Sequence, residues 1–271
     1  MCRWIAYLGT PVFVEDFVCV PCQSLIAQSR QAREAHTEMN ADGFGLGWYG
    51  ERATPGVFRD IRPAWSDENL MSLAHQIKSG LFFAHVRAST GTSTTRANCH
   101  PFSHGRLMFM HNGQIGGYEK VRRHIDALIP DALYNDRTGT TDSEALFLSM
   151  IGDGLAERPQ AAFEAAAAMV ARHQQAAGIT EAFRCTAVWS DGQTIWAVRY
   201  SSDDKPPSLY TRQLPDGSGT LVVSEPLDTA RDGWHAVPPQ SFVTVNRNGV
   251  VVNPLAVVRP KPVRALAAVD V

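Results

Sequence analysis

The chain has 271 residues, 44% of them hydrophobic and 19% charged, with a formal net charge of −2 at pH 7. That length suits one large domain or two small ones with a sizeable core. The near-neutral charge leaves no basic footprint for nucleic acid or an anionic membrane, and no apolar run reaches the length of a membrane span, so neither is expected as a partner.

Residues 1–10 read as a strand. The stretch 1–22 is apolar but broken by Pro11, Glu15 and Asp16, with Arg3 as its only basic residue, which does not fit a signal peptide. A helix is expected over 23–34 and strands over 43–49 and 57–60, then a helix over 67–78 behind the N-cap candidate Ser66. Residues 81–87 and 106–111 are β-rich apolar runs, the second leading into Asn112-Gly113. A helix is expected over 118–128. Thr141 with Glu144 three residues on forms a capping-box pattern for a helix reaching about residue 151. Pro159 and Gly178 bracket an alanine-rich helix. From residue 183 the chain turns to strands, over 183–190, 194–200, 209–212, 220–224, 242–246 and 250–253, with Asp191-Gly192 and Asn248-Gly249 as hairpin turns. Strand and helix do not alternate throughout. Antiparallel sheets packed together, with helices on their outer faces, are therefore expected in one domain over 1–271, with 254–271 as a tail.

The five cysteines, Cys2, Cys19, Cys22, Cys99 and Cys185, are odd in number and lack framework spacing, which suits a reducing, cytoplasmic setting. Cys19-Val20-Pro21-Cys22 has the spacing of a metal pair, but no second pair follows, and structural thiols are the simpler reading. Cys99 and His100, with His104 and His111 nearby, read as loop residues, and His100-Pro101-Phe102 is a candidate pocket wall. No metal site is expected. Gly43-Phe44-Gly45-Leu46-Gly47 lacks the spacing of a dinucleotide fingerprint.

Chemistry concentrates at Cys2. Removal of Met1 would give one residue both a thiol, with an unperturbed pKa of about 8.5, and an amine of about 7.7–8.0. A nucleophile served by its own amino group is an established form of covalent catalysis. Arg87 ends an apolar run with a fork suited to a carboxylate, or else meets water or a structural acid. Asn112 and Gly113 could cradle an oxyanion through an amide donor and an open backbone N–H, or simply make a hairpin turn; the helix-like continuation Gln114–Tyr118 weakens the turn reading. Asp142 is favoured in a helix first turn whatever its role, and it could also meet a substrate ammonium. If the strands carrying Cys2, Arg87 and Asn112 pair, these groups converge at one sheet edge.

Met1-Cys2-Arg3, Asn40-Ala41-Asp42-Gly43-Phe44-Gly45, His85-Val86-Arg87, His111-Asn112-Gly113 and Thr141-Asp142-Ser143-Glu144 occur in that order. Together they resemble the class II glutamine amidotransferase domain of the N-terminal-nucleophile hydrolases, over most of residues 2–153 and more loosely through Ser224–Asp228. The resemblance implies an α+β fold, a four-layer αββα sandwich of two antiparallel sheets, and no cofactor. It implies Cys2 as nucleophile with its freed amine as base, Asn112 and Gly113 as the oxyanion hole, Arg87 on the α-carboxylate of glutamine and Asp142 on its α-ammonium. The loop Ala88-Ser89-Thr90-Gly91 departs from the bulkier, histidine-containing loop of many members. The strands from 183 to 253 are needed to complete the sheets, so no synthetase domain is expected within the chain.

Three functions follow. The first is a stand-alone glutaminase-type amidohydrolase, or the glutaminase partner of a separate ammonia-accepting synthetase. The second is a hydrolase of a γ-glutamyl conjugate: Cys2-Arg3, Asn40-Ala41-Asp42-Gly43 and Trp65-Ser66-Asp67 are similar to the ergothioneine-pathway enzyme acting on γ-glutamyl-hercynylcysteine sulfoxide. The third is an inactive glutamine-binding module.

Overall fold

The structure is a computed structural model that describes residues 2–34, 39–89 and 91–257. Its strands are β1 (Arg3–Phe13), β2 (Phe44–Trp48), β3 (Gly56–Asp60), β4 (Lys78–Val86), β5 (Phe102–His104), β6 (Leu107–Gln114), β7 (Arg184–Ser190), β8 (Ile195–Ser201), β9 (Tyr210–Gln213), β10 (Gly219–Val223), β11 (His235–Ala236), β12 (Ser241–Asn246) and β13 (Gly249–Pro254). Its helices are α1 (Glu15–Val18), α2 (Leu25–Arg30), α3 (Glu68–Gln76), α4 (Tyr118–Asp126), α5 (Asp131–Tyr134), α6 (Asp142–Gly152) and α7 (Pro159–Ala176).

The strands form a seven-stranded sheet in the order β11-β9-β10-β1-β4-β2-β3 and a six-stranded sheet in the order β13-β12-β8-β7-β6-β5, and the paired strands run antiparallel. Side-chain alternation explains how they stack. On β1, Trp4 and Ala6 point one way and join Leu81, Phe83, Met108, Met110, Val188 and Val243 in a core between the two sheets. Ile5 and Tyr7 point the other way, onto Val18, Leu25 and Leu70 of α1, α2 and α3. The far face of the second sheet, with Phe109, Ala187, Trp189 and Tyr200, packs on Ile125, Phe147 and Phe163 of α4, α6 and α7. The result is the expected four-layer αββα sandwich. Strands buried on both faces read as unbroken apolar runs, which is why β1 and β4 lack a clear hydrophobic–polar alternation.

Several bounds differ from the sequence reading. β1 continues past Thr10 to Phe13, with a register shift between Leu8 and Val12 that accommodates Pro11. The 67–78 helix is capped by Asp67, whose Oδ1 accepts the Leu70 N–H at 2.8 Å, while Ser66 closes a preceding 3-10 turn. Lys78 opens β4 instead of ending that helix. The Thr141 cap is present, but Glu144 does not reach back to Thr141. Its carboxylate accepts the backbone N–H groups of Thr138 and Gly139. Of the expected tail, Pro254 ends β13, Leu255 and Val257 pack on the helix-side core, and 258–271 lie outside the described residues.

Candidate active site

Register sets the site. Arg3 pairs with Val86, so Cys2, just before β1, lies beside Arg87, just after β4. The Arg87 N–H donates to Gly43 and its carbonyl accepts from Asp42, extending the ladder by one residue. The Asp42 carboxylate then accepts the Ser89 N–H at 2.7 Å, which fixes the loop behind Arg87. Asn112 and Gly113 come from the facing sheet, where they pair with Thr186 and Cys185 inside β6. The expectation of convergence at one sheet edge is therefore corrected. Cys2 and Arg87 share one sheet, Asn112 and Gly113 belong to the other, and the site lies between the two layers. The Asn112-Gly113 hairpin turn is likewise absent, since β6 runs through both residues.

Cys2, Arg87, Asn112, Gly113 and Asp142 line a single pocket of about 220 Å³. All five residues expected from the sequence are thus brought together. Ala88, Ser89, Thr92, His100, His111, Gln114, Thr141, Ser143 and Arg184 complete its wall. Of these, only His100 was marked in the sequence as a wall candidate. Nothing in the sequence pattern distinguishes Thr92 or Arg184 from ordinary loop and strand residues.

The Cys2 thiol donates weakly to the Ala88 carbonyl at 3.6 Å. Burial pushes its pKa up, opposed by that bond and by the charges of Arg87 and Arg3. The protonated thiol is thus the favoured form at neutral pH. Arg87 is buried, and its guanidinium donates to the Thr92 hydroxyl (2.6 Å), the Ser89 hydroxyl (3.2 Å) and the carbonyls of Asp42 (3.3 Å) and Ser93 (3.4 Å). Among the described residues no carboxylate lies within ion-pair distance of it. Its charge is met, among those residues, by hydroxyls and carbonyls alone. Both amide atoms of Asn112 are buried without a hydrogen-bond partner, an arrangement that proteins rarely keep without a use for it. Gly113 has φ +143°, and a Cβ there would stand 1.9 Å from the Arg184 carbonyl oxygen, so only glycine fits. Asp142, at the start of α6, accepts the Ile115 N–H through Oδ2 and the Ser143 N–H through Oδ1, both at 2.8 Å.

A histidine cluster adjoins the pocket, with His100 and His111 in its wall and His85 stacked on His100. His85 and His100 are 4.3 Å apart between ring centroids, and His85 Nε2 sits 3.4 Å from the His111 carbonyl oxygen. A Cβ on Gly45 would meet the His100 carbonyl oxygen at 1.9 Å, so that glycine admits the His100 backbone. Burial disfavours the charged form of all three imidazoles. It lowers His85 to about 3 and His100 well below its usual value, and it lowers His111 against the pull of Asp142. In the unfolded chain the same groups take up protons near pH 6.5. The unfolded state thus binds more protons below that pH, and stability is lost as pH falls from about 6.5 towards 3. Urea midpoints are expected to drop between about pH 7.5 and about pH 5, and His85→Phe should make the decline shallower.

The five cysteines are free thiols, with Cys19 Sγ 3.7 Å from Met71 Sδ. Among the described residues no group of three or more His, Cys, Asp or Glu is placed to hold a metal ion, and no helix is long and apolar enough to cross a membrane.

Two facing antiparallel sheets between helical layers, with a thiol at the head of a central strand, define the fold of the N-terminal-nucleophile hydrolases. The profile described as "Glutamine amidotransferases class-II" matches residues 15–215. The chain belongs to this family. It is similar to the Saccharomyces cerevisiae protein named "Probable glutamine amidotransferase DUG3", 32% identical over 303 residues that cover 94% of this chain and 84% of the relative. It is also similar to the gamma-glutamyl-hercynylcysteine sulfoxide hydrolase of Mycolicibacterium smegmatis, 28% identical over 257 residues that cover 94% and 100%. Among solved structures, a glutamine aminotransferase class-II domain protein from Silicibacter pomeroyi superposes with a TM-score of 0.77 at 39% identity, covering 95% of this chain and 100% of the other. The glutamine phosphoribosylpyrophosphate amidotransferase of B. subtilis shares the fold, at TM-score 0.61 and 14% identity over half its length.

Proposed function

We propose that the chain is an amidohydrolase whose nucleophile is the Cys2 thiol, activated by the α-amino group that removal of Met1 exposes. The amine takes the thiol proton and the sulfur attacks the γ-carboxamide carbon of glutamine or a γ-glutamyl amide. The Asn112 amide and the Gly113 N–H hold the resulting oxyanion. Collapse returns the proton to the departing nitrogen, releases ammonia or an amine and leaves a γ-glutamyl thioester, which water then cleaves to glutamate and the free thiol. Arg87 receives the substrate α-carboxylate and Asp142 its α-ammonium. The observation that carries this reading is one pocket holding the Cys2 thiol, a guanidinium without an acid and an amide without a partner.

Glutamate release from purified protein lacking Met1 tests the proposal; no turnover with any γ-glutamyl amide would defeat it. Arg87→Lys is expected to raise KM about tenfold or more with a smaller change in kcat, because a point charge replaces a two-pronged donor. An unchanged KM would remove Arg87 from the site.

A second reading, hydrolysis of a larger γ-glutamyl conjugate, draws support from the relative whose printed name gives that activity and whose whole length is covered. The ratio of kcat/KM for such a conjugate to that for glutamine separates the two.

A further inference from the structure

Ser143 stands between the two ends of the pocket. It is buried in the first turn of α6, with Oγ 2.8 Å from His111 Nδ1 and 3.3 Å from Asp142 Oδ1. A hydroxyl has one proton and can donate to only one of these at a time. If it donates to Asp142, His111 Nδ1 must carry a hydrogen and donate to Ser143, leaving Nε2 a bare acceptor. If it donates to His111 Nδ1, the neutral ring carries its proton on Nε2. The two arrangements contain the same atoms and differ only in where two protons sit.

Nε2 of His111 is buried next to the Arg184 backbone carbonyl, which favours a proton on that nitrogen, and it lies against the oxyanion segment: a Cβ built on Gly113 would stand 2.9 Å from it and 1.9 Å from the Arg184 carbonyl oxygen. The choice between the arrangements is a competition between the Asp142 carboxylate, which attracts the Ser143 hydroxyl, and the Arg184 carbonyl, which favours the ring proton on Nε2. A cation bound to Asp142 would weaken that attraction.

We propose that Ser143 is a positioning residue coupling the ammonium end of the pocket to the oxyanion end: filling the Asp142 site turns the Ser143 hydroxyl to His111 Nδ1 and places the ring proton on Nε2, beside Gly113. The inference rests on the amidohydrolase reading above. Its consequence is that the substrate α-ammonium raises kcat as well as affinity, since binding at one end completes the electrostatics at the other.

Two measurements test it. The first compares kcat for glutamine with kcat for glutaramate, which has the same carboxamide and carboxylate but no α-amine. Ser143→Ala is expected to lower kcat for glutamine about tenfold, to leave kcat for glutaramate within about twofold, and to be largely rescued in Ser143→Thr. An equal loss on both substrates, or no loss on glutamine, overturns the proposal. The second needs no change at Ser143 and so survives a folding defect there. Nitrogen-15 spectra of histidine-labelled Cys2→Ala protein are recorded with and without glutamine, with the His111 signals assigned by their absence in His111→Gln. Calorimetric binding together with a shift of His111 towards the Nε2–H tautomer supports the coupling. Binding with unchanged His111 signals overturns it, whereas no binding overturns the underlying assignment of the pocket as well.

Discussion

Cys2→Ser is expected to abolish glutamate release to within detection, a loss of several orders of magnitude, while glutamine still binds. The physical reason is ionisation. Burial holds the Cys2 thiol above its ordinary pKa, so on the proposed mechanism even sulfur relies on the freed amine to become a thiolate. A serine hydroxyl in the same place is far harder to deprotonate and offers a weaker nucleophile at neutral pH. The effect should appear in kcat alone, because Arg87 and Asp142, the groups assigned to the substrate's head, are untouched. Activity should also track the fraction of chains lacking Met1, measured by intact mass, since an acylated Cys2 nitrogen has no lone pair free to accept a proton. An electrophilic glutamine mimic such as diazo-oxo-norleucine should label Cys2 and no other cysteine. Turnover that persists in Cys2→Ser, or that resides in the Met1-bearing form, would refute the mechanism.

The second large effect concerns Asn112. Asn112→Ala should lower kcat by about 10²–10³, the usual consequence of deleting one oxyanion donor, with KM little changed. The same substitution should be mild for stability. Both amide atoms of Asn112 are buried without partners, so the folded protein gains no hydrogen bond from them, and removing them trades a small cavity against relief of an unsatisfied polar group. The melting temperature is therefore expected to stay within a few degrees of the parent. Opposite movement, with activity retained and stability lost, would make Asn112 a structural residue.

The five residues on which these expectations rest were readable in the sequence because each bears a distinctive chemical type at the end of a recognisable run. Cys2 follows the initiator, Arg87 and Asn112-Gly113 close apolar runs, and Asp142 opens a capped helix. The layering was legible as well, since strands and helices do not alternate throughout and hairpin turns join the later strands, which argues against a doubly wound sheet, and the family resemblance implied the four layers. What the sequence could not supply was which sheet each strand joins. β6 has the same apolar character as β4, yet it pairs with β7 and brings Asn112 to the pocket from the opposite layer. The four-residue helices α1 and α5 and the two-residue β11 were missed because segments that short carry no periodicity. Ser143 was visible only as part of a helix start, because its contact with His111 spans 32 residues and depends on how α6 docks against β6.

The central place of β1 in its sheet has a bearing on how the nucleophile ripens. The amino-terminal strand is made first, but it is held between β4 and β10, and Arg3 pairs with Glu225 at 3.0 Å in a fully enclosed ion pair. Those partners emerge from the ribosome only after another 80 to 220 residues or so, which at about 5–20 residues per second is roughly 4–45 s of synthesis. Until then the leading end of the nascent polypeptide has no slot to occupy and stays open to an aminopeptidase. Once β10 arrives, β1 is held on both sides and Arg3 is enclosed with Glu225. On the mechanism proposed above, slowing the trimming enzyme during that interval is expected to lower the active fraction, read as the share of chains lacking Met1 by intact mass.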